Sequence, residues 1–570
     1  MSLFLRKTNR KDRLYLQIYE SFRDPSSHKP RTRCVRTLGY LDAITSEQIP
    51  DPITYYEEQI RQENERSRLL RAERSAGLIS DIPPFRYLGY FPVQSILRKL
   101  DVARYIDLLF SSSKVEFSVS DCLFQLIYAR IVNPSSKLHT CRQVIPMLFQ
   151  SSTVSYDQIL GCLEMCGHDY EKIVELFSSA VDDTYILDTS KTFFDCTNFY
   201  FEIDREDQWR KKDPSKENKH DPILGMGLLL DANCIPVGMK LYPGNASEKP
   251  VLRSVISALK EQNNIHGRTV TVADKGLNCA RNIHEAIQCG DGYIFSKSVK
   301  QLSEVERTWA LLENGYTSVS REDGSEKFRV KSAIDTFSYS YEDDNGRRVR
   351  FSAKEKRVAT YNPKLARKQR NEILKLADKA RYMCLSRAKK EEMGESAKYV
   401  VFSSVDKNGE KTGKKVVPSI NQEKIDKDLA CAGYNLLVTS ESQSSELDIY
   451  DTYHELWRIE ESFRTLKSEL DARPVYLQTA DKIKGHFLVC YLCVLLERLF
   501  QFKVLENQYG SHQVYKFIRN FQVIPMGGGL YMNVSTTNEV MEFLAQKFNL
   551  PLRVAKLKER QIEKILDRNI

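Results

Sequence analysis

At 570 residues the chain is too long for one hydrophobic core, and roughly three to five domains are expected. A hydrophobic content of 41% beside 28% charged residues describes a soluble globular protein, and a net charge of +9 hints only mildly at a polyanionic partner. No N-terminal stretch has a signal-peptide pattern, the longest apolar run (Phe487 to Leu496) is too short to span a bilayer, and thirteen scattered cysteines argue for reduced thiols; a membrane protein and a disulfide-stapled secreted domain are therefore excluded, and a cytoplasmic location is expected.

Residues 3 to 40 alternate in short β-prone pieces (FLRK, RLYLQIYESF, RCVRTLGYL) split by polar turns, which predicts a small three-stranded sheet. Arg6, Lys7, Arg10, Lys11, Arg13, Lys29, Arg31, Arg33 and Arg36 give it a basic surface suited to DNA. Residues 55 to 77 are charged helix formers with few apolar anchors, a bridging helix that closes a module over 1–80. From Phe91 the period is helical, with Asp101, Ser118 and Ser135 as possible caps, so a helical domain is expected over 81–182. Within it Cys162, Cys166 and His168 could suggest a metal, but no second ligand pair stands at zinc-finger spacing, and core cysteines on a helix are expected.

The strand predicted at Thr192 to Phe201 carries one acid, Asp195, in its middle, a costly placement unless the acid binds something. A polar, basic loop (Trp209 to His220) leads into two antiparallel strands, ILGMGLLLD and IPVGMKLYPGN. A helix from about Lys249 to Gln262 follows, then a short strand in TVTVADKGLN ending at Asp274, a helix from Asn278 and a strand GYIFS at 292–296. This is the ribonuclease H-like order, which requires a third acid on a later helix. Residues 300–432 intervene, mixing β-prone pieces with the basic helix NPKLARKQRNEILKLADKARYM. Between Arg347 and Lys415, 21 Lys and Arg stand against 8 Asp and Glu, a footprint for nucleic acid or a solvated charged face. YNLLVTSES at 434–442 reads as a strand returning to the core.

Next comes a helix over Tyr453 to Leu470, YHELWRIEESFRTLKSEL. Leu456, Ile459, Phe463, Leu466 and Leu470 form one buried stripe, and Tyr453, Glu460 and Lys467 recur every seven residues along its edge. At ~100° per residue Glu460 falls at the margin of the stripe and Glu461 nearly opposite, so Glu460 is expected half-buried and Glu461 solvated. On an ordinary amphipathic helix Glu460 would pair with Arg464 and Lys467. The two distant acids favour reading it instead as the third.

Together FFDCTNFYF, VADKGL and YHELWRIEESFRTLK resemble the insertion-sequence transposases of the DDE type, in the superfamily whose last motif reads Tyr, two residues, Arg, three residues, Glu, six residues, Lys. Tyr453, Glu460 and Lys467 keep that spacing, and Leu456 holds the Arg position, so the phosphate contact expected of that Arg would come from Arg458 or Arg464. The likeness covers residues 185–300 and 430–500 well and the two ends loosely. It implies an α/β fold: a ribonuclease H-like mixed sheet flanked by helices, in two parts over 183–299 and 433–480, interrupted by a β-rich basic insertion over 300–432, with an N-terminal β module and helical domain and a helical C-terminal region over 481–570.

The resemblance also implies a DNA transposase. Asp195, Asp274 and Glu460 would hold two Mg²⁺ ions, about 4 Å apart, with Asp195 bridging them and Mn²⁺ able to substitute. A water-driven cut frees a 3′-hydroxyl at the element end, which then attacks target DNA. Tyr453, Arg458, Arg464 and Lys467 would contact phosphates. Trp457 would stack on an extruded base, with Tyr434 as a second aromatic, unless both are core residues. The implied partners are double-stranded DNA, namely terminal inverted repeats and target, and a second copy of the chain in the synaptic complex, in a prokaryotic cytoplasm close to the nucleoid. No GxxxxGK[ST] loop indicates a nucleotide cofactor. A nuclease using the same acids without strand transfer, and a transposase-derived DNA-binding protein, are the rivals. The second requires a lost carboxylate, and none is lost.

Overall fold

The computed structural model describes residues 2–10, 13–23, 30–46, 51–75, 84–113, 115–212, 221–262, 265, 267–385, 390–405 and 411–570. Lys11 and Lys29 of the basic N-terminal surface, residues 76–77 of the bridging helix, residues 213–220 of the polar loop, and residues 386–389 and 406–410 of the basic segment lie outside them. The chain forms two compact units, Met1–Tyr170 with Glu469–Asp471 and Tyr476–Ile570, and Glu171–Ser468 with Ala472–Val475.

In the first unit, β1 (Ser2–Arg10), β2 (Arg13–Arg23) and β3 (Pro30–Tyr40) form an antiparallel sheet in that order. The helix Pro52–Ser75 buries Ile60 and is tied to β1 through Asn64, which donates to the Leu3 carbonyl at 2.7 Å and accepts from the Leu3 amide at 2.8 Å. The helical part follows, with a two-residue strand β4 (Arg86–Tyr87) at its start. Ser118 caps the helix Val119–Val132. Asp101 does not start a helix; it ends Phe91–Leu100 in a left-handed conformation, and Ser136, not Ser135, caps the short turn at Lys137. Cys162 and Cys166 are buried with their sulfurs 3.9 Å apart, whereas the His168 side chain is 74% exposed and faces Asp481.

The second unit is built on one nine-stranded sheet. Its strands are β5 (Lys191–Tyr200), β6 (Ile223–Leu230), β7 (Pro236–Pro243), β8 (Val270–Ala273), β9 (Gly292–Lys297), β10 (Thr317–Ser320), β11 (Glu326–Glu342) and β12 (Arg348–Tyr361), and, beyond a separate hairpin of β13 (Val400–Val405) and β14 (Lys411–Ile420), β15 (Tyr434–Thr439). Their order is β10-β11-β12-β15-β9-β8-β5-β6-β7. Pairing is parallel between β5 and β8 and between β8 and β9, where the helices Glu248–Glu261 and Ala280–Gln288 make the crossovers, and antiparallel elsewhere. Every residue of β6 is buried, as expected of a strand covered on both faces.

Residues 300–432 interrupt the sequence more than they interrupt the sheet. Lys356–Tyr361 of β12 pair with Tyr434–Thr439 of β15, and β15 pairs with β9, so β10, β11 and β12 extend the same sheet. Charges at the root of β12 are buried as a network. Glu355, fully buried, accepts from Tyr293 at 2.6 Å and Tyr339 at 2.8 Å and faces Arg357 at 3.1 Å. The helix Pro363–Leu385 buries Ile373, Ala377 and Ala380 in a small core of its own with Tyr399, Ile425 and Ala432.

The segment after 481, expected to be helical, also carries strands. β16 (Gln522–Gly527), β17 (Leu530–Asn533) and β18 (Lys556–Lys558) join β4 in a four-stranded sheet of the first unit, ordered β18-β17-β16-β4. The helix Ala480–Leu499 is apolar all round from Phe487 to Leu496 and buried on to Leu499, where it takes in the charged pair Glu497 and Arg498, so it forms the centre of this unit. It crosses Tyr156–His168 at a glycine pair: a Cβ on Gly485 would stand 2.0 Å from the Leu163 carbonyl oxygen, and one on Gly167 would stand 1.7 Å from that of Asp481. No helix among the described residues is long and apolar enough to cross a membrane.

Candidate active site

Asp195 lies in the middle of β5, and Asp274 follows the last residue of β8. The parallel register pairs Phe194 with Ala273, so the next residues along, the two aspartates, stand side by side. Both are half-buried. The Asp195 carboxylate accepts its neighbour's amide, Cys196 N, at 2.7 Å. Asp274 Oδ1 accepts from Ser296 Oγ at 2.9 Å and from Tyr453 OH at 3.2 Å. Burial pushes the Tyr453 phenol up, and the charges of Asp274 and Asp195 push it the same way, which puts both carboxylates within electrostatic reach of one hydroxyl.

The chain over 453–470 is not one continuous helix. It comprises a helix Glu446–His454, a turn at Glu455 and Leu456, a helix Trp457–Arg464 and a wide π-helical turn Thr465–Glu469. At the turn the amides of Leu456, Arg458 and Ile459 bond three residues back rather than four. Contacts at both ends fix how this segment lies on β5. Lys191 Nζ donates to Thr452 Oγ1 at 3.1 Å, Lys467 Nζ lies 5.8 Å from the Phe199 ring, and the Arg473 guanidinium lies 4.6 Å from the Tyr200 ring. Strand and helix therefore run in the same direction. The helix Trp457–Arg464, which carries Glu460 and Glu461, packs directly against β5.

The faces of these two glutamates differ from expectation. Glu460 is exposed, and the Glu461 side chain is the half-buried one at 15% exposure. A stripe drawn through apolar residues alone omits Ser462 and Thr465, which are 0% and 2% exposed. Including them moves the centre of the buried arc roughly 30° toward Glu461, and the turn at Glu455 and Leu456 with the π-helical turn after Arg464 breaks the regular ~100° spacing on which the expectation rested. Arg464 lies 3.7 Å from Glu461 rather than from Glu460, and among the described residues the Glu460 carboxylate has no ion pair or hydrogen bond. The pairing expected of an ordinary amphipathic helix is absent there.

Trp457 is 55% exposed, so it is not a core residue, whereas Tyr434 is half-buried with its ring 4.7 Å from that of Tyr361. Arg458 turns inward and donates to Cys234 Sγ at 3.1 Å, while the Arg464 side chain is 71% exposed and Lys467 is half-buried. Leu456, in the position where the motif has Arg, is half-buried. Of the basic N-terminal residues, Lys7, Arg13, Arg33 and Arg36 are ion-paired to Glu57, Asp42, Glu20 and Asp157.

No three His, Cys, Asp or Glu side chains among the described residues already converge as a metal cluster. The two aspartates are adjacent, and Glu460 stands on the helix packed against β5 but is turned to solvent. The donor set nevertheless fits a hard divalent cation. All three groups are carboxylates, and both Asp274 Oδ2 and the Glu460 carboxylate lack a hydrogen-bonding partner among the described residues. One acid escaped the reading of the sequence: Glu248, in the first turn of the helix Glu248–Glu261, reaches to 3.9 Å from where a Cβ on Gly276 would stand, beside Asp274. No spacing from the other acids marks it.

A mixed α/β unit with a large mixed sheet and acids gathered on neighbouring strands and a flanking helix is consistent with a ribonuclease H-like domain of the DDE class. Residues 186–496 match the family model described as Transposase DDE domain, and residues 5–73 match the model described as IS1634 family transposase, N-terminal domain. The chain belongs to the DDE transposase family: it is an insertion-sequence transposase, a metal-dependent enzyme that cleaves DNA and transfers strands. Among curated proteins, none matches the chain.

Proposed function

We propose that Asp195, Asp274 and Glu460 are the catalytic carboxylates of this transposase, that they hold two Mg²⁺ ions, and that the core has ribonuclease H-like topology and belongs to the superfamily with the Tyr-Arg-Glu-Lys signature. The parallel register that sets Asp195 beside Asp274 carries the proposal. The sheet order β7-β6-β5-β8-β9, with three antiparallel strands followed by two parallel ones, supports the topology. Bound there, the ions would supply Lewis-acid stabilisation to the attacking and leaving oxygens of a phosphodiester.

The chain's own residues hold and orient the DNA. Arg464 and Lys467 take the phosphate contact that Leu456 cannot make, and the exposed face of Trp457 stacks on a base beside the cut. Arg458 and Tyr453 are engaged with Cys234 and Asp274, so they act on the strand by steadying the site and touch phosphates secondarily. The module over 1–80 reads the terminal inverted repeats, and two copies of the chain join two ends in the cytoplasm before target attack. The domain limits are those drawn from the sequence: 81–182 for the helical domain, 183–299 and 433–480 for the core, 300–432 for the insertion and 481–570 for the C-terminal region. The test is cleavage of a duplex carrying the element end by D195N, D274N and E460Q chains, with end binding measured in parallel. All three should bind and fail to cleave, and any one that cleaves at the wild-type rate removes that residue from the site.

A further inference from the structure

Asp274 is held by one of its two oxygens. Oδ1 accepts from both Ser296 Oγ and Tyr453 OH, while among the described residues Oδ2 accepts nothing. A carboxylate just past the end of a four-residue strand can otherwise rotate about both side-chain torsions, and two donors converging on one oxygen remove that freedom.

The donors stand on fixed elements. Ser296 is 2% exposed in β9, its ladder position pairs with Leu437 of β15, and its carbonyl accepts from Asn278 Nδ2 at 2.9 Å. Tyr453 is half-buried near the end of the helix Glu446–His454, which packs against β8 and β9. Each donor therefore comes from an element placed by its own packing, and the two hydroxyls also lie within hydrogen-bonding reach of each other.

We infer that Ser296 and Tyr453 are positioning residues that clamp Asp274 so that it presents Oδ2 alone to a divalent cation. The inference rests on the reading of Asp274 as a metal ligand. Single-oxygen binding suits the compact octahedral demand of Mg²⁺ or Mn²⁺, whereas the larger Ca²⁺ readily takes both oxygens of a carboxylate. The clamp accordingly sets which cation the site prefers as well as how tightly it binds. Sequence spacing cannot reveal it, because nothing in the chain order links Ser296 to Asp274 and Tyr453 is singled out only as a DNA contact.

The test is Mn²⁺ binding to the full chain without DNA, followed by the electron paramagnetic resonance of free Mn²⁺, with Ca²⁺ competition in the same samples and thermal melts as a folding control. S296A and Y453F should each bind Mn²⁺ about 10-fold more weakly, within the 10- to 100-fold range of outer-shell changes at metal sites, and the preference for Mn²⁺ over Ca²⁺ should fall. S296T, which keeps the hydroxyl, should restore both. Should S296A melt early, Y453F carries the test, because it removes one oxygen and opens no cavity. If D274N binds Mn²⁺ like the wild type, Asp274 is not a ligand, and the parent reading fails with the clamp. If D274N loses binding while S296A and Y453F keep it unchanged, the clamp alone is overturned.

Discussion

Replacing Glu460 by glutamine separates the chemistry of this site from its stability. The carboxylate is exposed and has no protein partner among the described residues, so the isosteric amide removes no folded-state interaction. The unfolding free energy should stay within about 0.5 kcal/mol of wild type, the ordinary range for a surface change. Cleavage should fall by at least ~10³-fold, equivalent to about 4 kcal/mol of transition-state stabilisation, because an amide oxygen is a far poorer ligand for a hard dication. Glu461 gives the opposite pattern. Its side chain is half-buried beside Arg464 at 3.7 Å and also within electrostatic reach of Arg458, and because Arg464 is 71% exposed the share of the E461Q change that comes from this screened pair is about 0–1 kcal/mol. Its cleavage should stay within threefold of wild type. The assay is Mg²⁺-dependent nicking at the 3′ end of the element in a labelled duplex, read beside a gel shift and a thermal melt for each chain. An E460Q chain that cleaves within tenfold of wild type, or an E461Q chain that loses as much as E460Q, would refute the assignment.

Three further outcomes follow from the packing. G485A should destabilise the first unit by more than about 2 kcal/mol, because the new methyl meets the Leu163 carbonyl oxygen at 2.0 Å and backbone must move; a calorimetric melt that matches wild type would contradict the close crossing. R357A takes from the fully buried Glu355 its ion-pair partner at 3.1 Å, leaving only the charge of Lys297 nearby, and should cost about 3–5 kcal/mol, measured by denaturant unfolding, with Y339F costing much less. Burial, helped by the nearby charge of Arg130, pulls the Lys137 ammonium from 10.5 down to about 7. Between pH 7 and about 10.5 the unfolded lysine therefore holds a proton that the folded one has released, and in this window wild-type stability should rise with pH relative to K137M. A difference between the two chains that does not change with pH would show that Lys137 folds charged.

How much of this could be read from the sequence depends on whether the residues that decide a feature are near one another in the chain. The strands carrying or preceding the aspartates are dense in β-branched and aromatic residues and lie between helices, so their limits are legible to within a residue or two. β12 is not, because RVRFSAKEKRVATY looks like a solvated charged stretch and only the structure shows Glu355, Lys356 and Arg357 buried. The C-terminal strands are three to six residues long, and the sheet is completed by Arg86–Tyr87, more than four hundred positions earlier, so no local pattern announces them. At the glutamate helix the apolar period located the buried side but misjudged its width, since Ser462 and Thr465 are small enough to let the helix settle onto β5. The side-by-side placement of Asp195 and Asp274 depends on strand pairing, which sequence order suggests and only register fixes.

The position of β15 has a consequence for how the chain is made. Until β15 arrives, β9 is a bare edge with unpaired backbone groups, and β15 ends 142 residues after β9 does. At the usual pace of synthesis that interval lasts roughly 7 to 30 seconds, long on the scale of folding. Throughout it the half carrying both aspartates is open to any strand that can pair with it, while Glu460 has yet to be translated. A nascent or truncated chain ending before residue 434 should therefore be catalytically silent and prone to self-association, so that competence and closure of the sheet are reached together, late in translation.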